Sequence, residues 1–333
     1  MIPGTQNIQS GLTQAEMVEA MNFIMEGHAS DEDIRNFLVT MADRGETVDE
    51  ITGAARVLRE KALHIHTPAK AIDCCGTGGD ARGTYNISTA VAIVAASCGV
   101  PVAKHGNRAA SSKSGAADVL EALGINLNIS KEQIEAALEK FNFAFLMAPN
   151  HHHAMKSVSA VRKSLGRRTI FNLLGPLVNP GKTQYQLLGV YDKKWLMPMA
   201  ETLKNLGTKS AWVVHGHDGL DEITTTDKTS VTVLKDGAIT HMELSAADFG
   251  LPLSVMESLQ GGDASENARA LLDLLEGKHG AYRNIVLANA AAVLVIHGDA
   301  RDLKHGVAIA ADSIDTGAAL ATLEKYKDFT RSA

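Results

Sequence analysis

The chain lacks three things whose absence narrows its function. No stretch of its 333 residues reaches the roughly 18 consecutive apolar residues of a membrane span, and the opening Met1-Ile2-Pro3-Gly4 run has no basic flank leading into an apolar core. No membrane partner is therefore expected, and the expected location is the cytoplasm. Cysteine is scarce: Cys74, Cys75 and Cys98 are too few for a disulfide framework, and the adjacent pair is badly placed to bridge. They read as small buried hydrophobes in a reducing compartment. An excess of positive charge is also missing. Lys and Arg number 32 against 38 Asp and Glu, a formal net charge of −6, whereas a nucleic-acid-coating protein needs the opposite sign. No nucleic-acid partner is expected.

What is present is ordinary globular composition, 45% apolar and 21% charged, in a chain long enough for one large or two modest domains. Residues 1 to about 67 show helical spacing in Ala15, Val18, Met21, Phe23 and Ile24, and again in Ile34, Phe37, Leu38 and Met41. Ser30 precedes Asp31-Glu32-Asp33, a cap followed by acids that suit a helix start. This segment reads as a helical small domain and a subunit contact, joined by a later helical stretch around 165–180. From Ala71 onward short apolar strands alternate with helices. Strands are predicted at 71–75, 100–103, 143–147, 185–191 and 210–215, and helices at 88–98, 114–123, 131–141, 152–165 and 195–206. Ser130 with Gln133 forms a capping box. Residues 223–244 alternate around Lys235-Asp236-Gly237 as an antiparallel hairpin, and the chain from about 265 is helical. The fold class is α/β: a large domain, 71–333, with a mainly parallel central sheet, sharing interleaved segments with the small one.

Chemistry gathers at predicted strand ends. Gly76-Thr77-Gly78-Gly79-Asp80 matches the dinucleotide fingerprint formally. However, Arg82-Gly83 continues the loop where a helix should open, and the second strand ends at Lys104, not at an acid. No Gly-Lys-Ser/Thr follows to make a phosphate loop of the nucleotide-binding kind. Glycines nevertheless let backbone approach an anion, and Asn86-Ile87-Ser88-Thr89 brings small polar side chains to a helix start, so Gly76 to Thr89 reads as a phosphate cradle. Lys104-His105-Gly106-Asn107-Arg108 and Ser111-Ser112-Lys113-Ser114-Gly115 form a second anion site beside it. Two such sites fit a ligand with two phosphate groups, whose charge of about −1.5 to −2 per group exceeds the half charge of a helix end. A divalent cation and lysine must supply the rest. Asp221-Glu222, past the strand at 210–215, offers hard oxygen ligands for Mg²⁺. His151, His152 and His153 are unsuited to zinc, because consecutive residues on a helix diverge by about 100°. On the predicted helix 152–165, Arg162 shares a face with His152.

These segments, in this order, resemble the anthranilate phosphoribosyltransferase family. The likeness is carried by GTGGD at 76, T-x-N-x-S-T at 84, KHGNR at 104, SS-x-SG-x-ADVLEALG at 111, AP-x-x-H at 148, RTIFNLLGPL-x-NP at 168 and DE at 221. The resemblance implies transfer of a phosphoribosyl group from 5-phosphoribosyl 1-diphosphate to the amine of anthranilate, on a nucleoside phosphorylase/phosphoribosyltransferase-like fold that is usually a homodimer. It places Gly76, Gly79, Asp80, Thr84, Asn86, Ser88, Thr89, Lys104, Asn107 and Ser112 around the diphosphate donor. Ser88, Asp221 and Glu222 would hold Mg²⁺, and Gly76, Asn107, His152, Arg162 and Gly175 would line the path for anthranilate. His105 and His152 are the candidates for taking the amine proton. Three positions depart from the family pattern: Ala116 replaces a frequent serine and takes away one hydroxyl, and His153 and Ala160 stand where proline is usual. The rival readings are a pyrimidine nucleoside phosphorylase of similar fold and a non-catalytic nucleic-acid-binding relative. Net acidity and the intact acidic pair count against the second.

Overall fold

The structure is a computed structural model that describes residues 1–109 and 113–332. Three N-terminal helices, Gln14–Met25, Asp31–Arg44 and Val48–Lys61, start on the side chains of Thr13, Ser30 and Thr47, each accepting a backbone N–H of the first turn. Their apolar faces share one core with Val158 and Val161 of helix Lys156–Leu165 and with Phe171, Leu173 and Leu174 beyond it.

Seven strands follow: β1 Ile72–Gly76, β2 Val102–Gly106, β3 Phe143–Met147, β4 Tyr185–Gly189, β5 Ser210–Gly216, β6 Thr229–Lys235 and β7 Ala238–Leu244. They lie in the order β3-β2-β1-β4-β5-β6-β7, with β1 to β5 parallel and the last two antiparallel. Alternation along β4 and β5 splits the sheet between two cores. Leu187, Trp212 and Val214 face the layer of helices Ile87–Ser97 and Ala281–His297, and Leu188, Ala211 and Val213 face helix Leu196–Asn205 and the N-terminal helices. The chain builds outward from β1 to β3 and then returns to lay β4 on the other side of β1. That is a topological switch point, and the crevice beyond the carboxyl ends of β1 and β4 is where ligands of such sheets bind.

The hairpin forms as expected: Asp236 and Gly237, both at positive φ, make the two-residue turn that matches strand twist. The capping box at Ser130 and Gln133 is present. Two expectations need correction. The second strand runs two residues later than predicted, so Lys104 and His105 lie within β2 and point to opposite faces. The predicted helix 152–165 is broken into Ala148–His151, a single turn at His153–Met155, and Lys156–Leu165; His152 sits in the break with φ −116° and ψ 62°. The shared helical face of His152 and Arg162 therefore does not exist. All three cysteines are free, and burial pushes the Cys74 thiol up to about 12. Among the described residues, no single helix is long and apolar enough to cross a membrane.

Candidate active site

The segments at 76, 104 and 221 converge at the switch point. The Thr77 N–H donates to the Gly189 carbonyl (2.9 Å), and the Gly78 N–H donates to the Asp221 carboxylate (2.8 Å). A Cβ on Gly76 would overlap the Asp221 carboxylate, and one on Gly189 would overlap the Asp221 carbonyl. Glycine at both strand ends is what lets the 218–222 loop lie across the tops of β1 and β4. Beyond it, Gly78, Gly79, Ala81 and Gly83 all take positive φ, so the loop coils rather than entering a helix.

Lys104 is buried under this loop. Its Nζ donates to the Cys74 carbonyl (2.7 Å) and to Ser88 Oγ (3.1 Å). Burial, then the charge of Asp80, raises the Asp221 carboxyl to about 7; burial, then the charge of Asp221, raises Glu222 to about 8. Asp80 is raised for the same first reason. Lys104 lowers both Asp221 and Glu222, and the backbone of Ser88, in the first turn of helix Ile87–Ser97, lowers Glu222 further. Three carboxylates thus gather here, Asp221 and Glu222 countered by Lys104 and Asp80 by Arg82. Among the described residues no three His, Cys, Asp or Glu side chains converge closely enough to enclose an ion. Hard oxygens that need water and ligand phosphate to complete the shell fit Mg²⁺. Thr89 Oγ1 is buried nearby without a partner.

The opposite face of β2 carries His105. Its Nδ1 bonds the Gly175 carbonyl (3.2 Å), and its ring meets that of His152 edge-on at 5.2 Å. A carbonyl only accepts, so Nδ1 bears the proton and Nε2 is a bare lone pair. The Val178 backbone favours the charged form of the His152 ring, but only in part against its burial. Both Nε2 atoms are buried without a partner. Burial first, then neighbouring histidines, pushes His105 down to about 3 and His152 to about 4, so both rings are neutral at pH 7. His151 turns away to the Leu63 carbonyl. The Arg162 guanidinium lies 4.9 Å over the Phe171 ring and has no ion-pair partner among the described residues. A Cβ on Gly175 would meet nothing within 4 Å, so space opens there.

Other expected residues have different employment. Thr84 bridges to Gln260, and the Asn86 side chain ties Ser114 to Asn267. Asn107 is exposed and accepts from the Arg108 N–H. Arg108 is held outward by Glu121 and Asp118 and does not face the cradle. Ser112 lies outside the described residues. Several participants were not among the expected site residues. Asp73, fully buried, accepts from the His105 N–H (3.2 Å) and from Asn179 Nδ2 (2.8 Å), and so fixes β2 against the 175–181 segment. Arg168 and Tyr191 form a stacked pair against the glycine loop. Arg168 opens the motif at 168, but its role against the loop, like that of Tyr191, shows only in contacts across long sequence separations.

Known proteins resemble the chain over its whole length. Residues 68–320 match the model of the glycosyl transferase family a/b domain, and residues 9–62 match that of its helical bundle domain. The anthranilate phosphoribosyltransferase of Azospirillum brasilense is 54% identical over 324 residues, 97% of this chain and 91% of its own; that of Rhodospirillum rubrum is 54% identical over 94% and 90%. A crystal structure of the Thermus thermophilus enzyme of that name superposes with a TM-score of 0.93 at 40% identity, covering 99% of this chain and all of that one. The Saccharomyces cerevisiae enzyme in complex with PRPP and Mg gives 0.89 at 28% identity, covering 96% and 94%.

Proposed function

We propose, since the chain belongs to the anthranilate phosphoribosyltransferase family, that it transfers the phosphoribosyl group of 5-phosphoribosyl 1-diphosphate to the amine of anthranilate, releasing diphosphate, in tryptophan biosynthesis. The observation that carries this reading is the convergence of the 76–80 loop, Lys104 and the Asp221-Glu222 pair at one switch point. The C1–O bond to diphosphate breaks, the amine nitrogen bonds C1, and the amine loses a proton. Positive charge grows on the ribose ring while negative charge grows on the leaving group, so positioning and electrostatic stabilisation suffice without a protein nucleophile.

Asp221, Glu222 and Ser88 would hold Mg²⁺, whose chemistry when bound is to neutralise the departing diphosphate. The amides of Gly76 and Gly79, the helix start at Ser88 and Thr89, and the Lys104 charge receive the donor's phosphates. Asp80 extends that wall, and the family resemblance adds Thr84, Asn86, Asn107 and Ser112 to the donor's surroundings. On the other side Arg162, stacked over Phe171 and unpaired among the described residues, takes the anthranilate carboxylate, and Gly175 leaves open space for the acceptor. Neutral His105 and His152 each present a bare Nε2 to which the amine proton can pass. Residues 1–67 with the stretch around 165–180 act as the helical unit and homodimer contact of a cytoplasmic enzyme, and residues 71–333 as the donor-binding unit.

The test is loss of anthranilate fluorescence. We expect it only when the diphosphate donor and Mg²⁺ are both present; fluorescence that persists with all three mixed contradicts the proposal.

A further inference from the structure

We infer that Arg168 is a positioning residue for the donor loop: stacked on Tyr191, it holds the Gly79 carbonyl and so sets the left-handed turn that cradles phosphate. This rests on the functional reading above and adds a residue to it. The Arg168 guanidinium lies 4.0 Å over the Tyr191 ring, and its Nη2 donates to the Gly79 carbonyl. No other donor reaches that carbonyl among the described residues. Gly79 has φ +76°, a conformation that favours glycine, and the Arg168 guanidinium packs directly over it, 3.4 Å from where a Cβ would stand.

Tyr191 is itself fixed at both ends. Its hydroxyl accepts from Trp195 Nε1 (2.9 Å), and its backbone N–H donates to Thr77 Oγ1 (3.0 Å). The stacked pair therefore grips the loop at two points, Thr77 and Gly79, from one side. The neighbouring Arg167 pairs with Asp43 at 2.7 Å, anchoring the same dipeptide to helix Asp31–Arg44. Arg168 has no carboxylate partner among the described residues, so its charge is not consumed by an ion pair. A planar, delocalised cation suits this double task of stacking and directional donation, and lysine does not.

The experiment is steady-state kinetics on Arg168→Gln, Arg168→Lys, Tyr191→Leu and the Arg168→Gln/Tyr191→Leu double variant, each with an unchanged thermal melt. Losing a charge-assisted hydrogen bond predicts that Arg168→Gln raises the donor KM about tenfold or more, with kcat and the anthranilate KM within about threefold. Arg168→Lys should not restore it, and the double variant should be no worse than the worse single one, because both residues serve one contact. An unchanged donor KM in Arg168→Gln, an equal rise in both KM values, or full rescue by lysine overturns the inference while wild-type turnover leaves the functional reading standing. A wild type that binds no donor overturns that reading and this inference together.

Discussion

Lys104 and His105 are neighbours on one strand, yet they head opposite walls of the cleft, and the walls answer burial in opposite ways. On the Lys104 side burial raises carboxyls, so Asp80, Asp221 and Glu222 call for a cation. On the His105 side burial lowers imidazoles, so His105 and His152 stay neutral, and Arg162 is the charge left to meet an acid. One physical cause, desolvation, thus acts in opposite senses on the two walls, and on the proposed reading it suits one to a metal-bound polyanion and the other to an uncharged amine carrying a carboxylate. The period of two along a strand makes the separation possible.

The comparison breaks most visibly on the acidic wall. Asp221→Asn with Glu222→Gln removes the demand for a cation, and turnover should fall by about 10³-fold or more with no response to added Mg²⁺; initial rates across an Mg²⁺ titration measure this. Gly189→Ala attacks the same wall through its backbone. The new Cβ meets the Asp221 carbonyl, which cannot rotate aside, and we expect a loss of about 3 kcal/mol in urea unfolding. On the neutral wall, Arg162→Ala should raise the anthranilate KM about 30-fold while leaving the donor KM unchanged, the worth of a charge-assisted hydrogen bond.

A further test sharpens the contrast through pH. His105 titrates near 3 in the folded chain and near its ordinary value of 6.5 unfolded, so the unfolded state takes up protons first as pH falls. The stability tied to a neutral His105 is complete above about 6.5 and drains away as pH falls from there toward 3. His105→Gln should flatten that limb of the stability curve in denaturant titrations between pH 6.5 and about 4; an unaltered slope contradicts the assignment.

Much of this was legible before the structure. Hydrophobic spacing, caps at Ser30 and Ser130, and the Asp236-Gly237 turn mark local geometry, and they placed most elements within a few residues. Loops following parallel strands announced where chemistry would collect. What escaped was decided by contacts distant in sequence. The break at His152 separates a short helix from Lys156–Leu165, and a continuous polar-apolar rhythm conceals it. Lys104 and His105 looked like a loop because a charged residue inside a strand is unexpected until Ser88 and the Cys74 carbonyl satisfy it. Arg108 looked like a phosphate ligand by type, yet Glu121, a helix away, holds it outward. Asp73 carries no motif of its own, and Arg168 opens the motif at 168 without announcing its reach to the glycine loop.

The central claim is that the acidic wall receives a diphosphate donor through a divalent cation. Isothermal titration of 5-phosphoribosyl 1-diphosphate into the wild type and the Asp221→Asn variant, with Mg²⁺ and with chelator, tests it most directly. We predict binding in the wild type with Mg²⁺ and at least a tenfold weaker affinity in the other three conditions. Equal affinity with and without Mg²⁺, or in the variant, would contradict it.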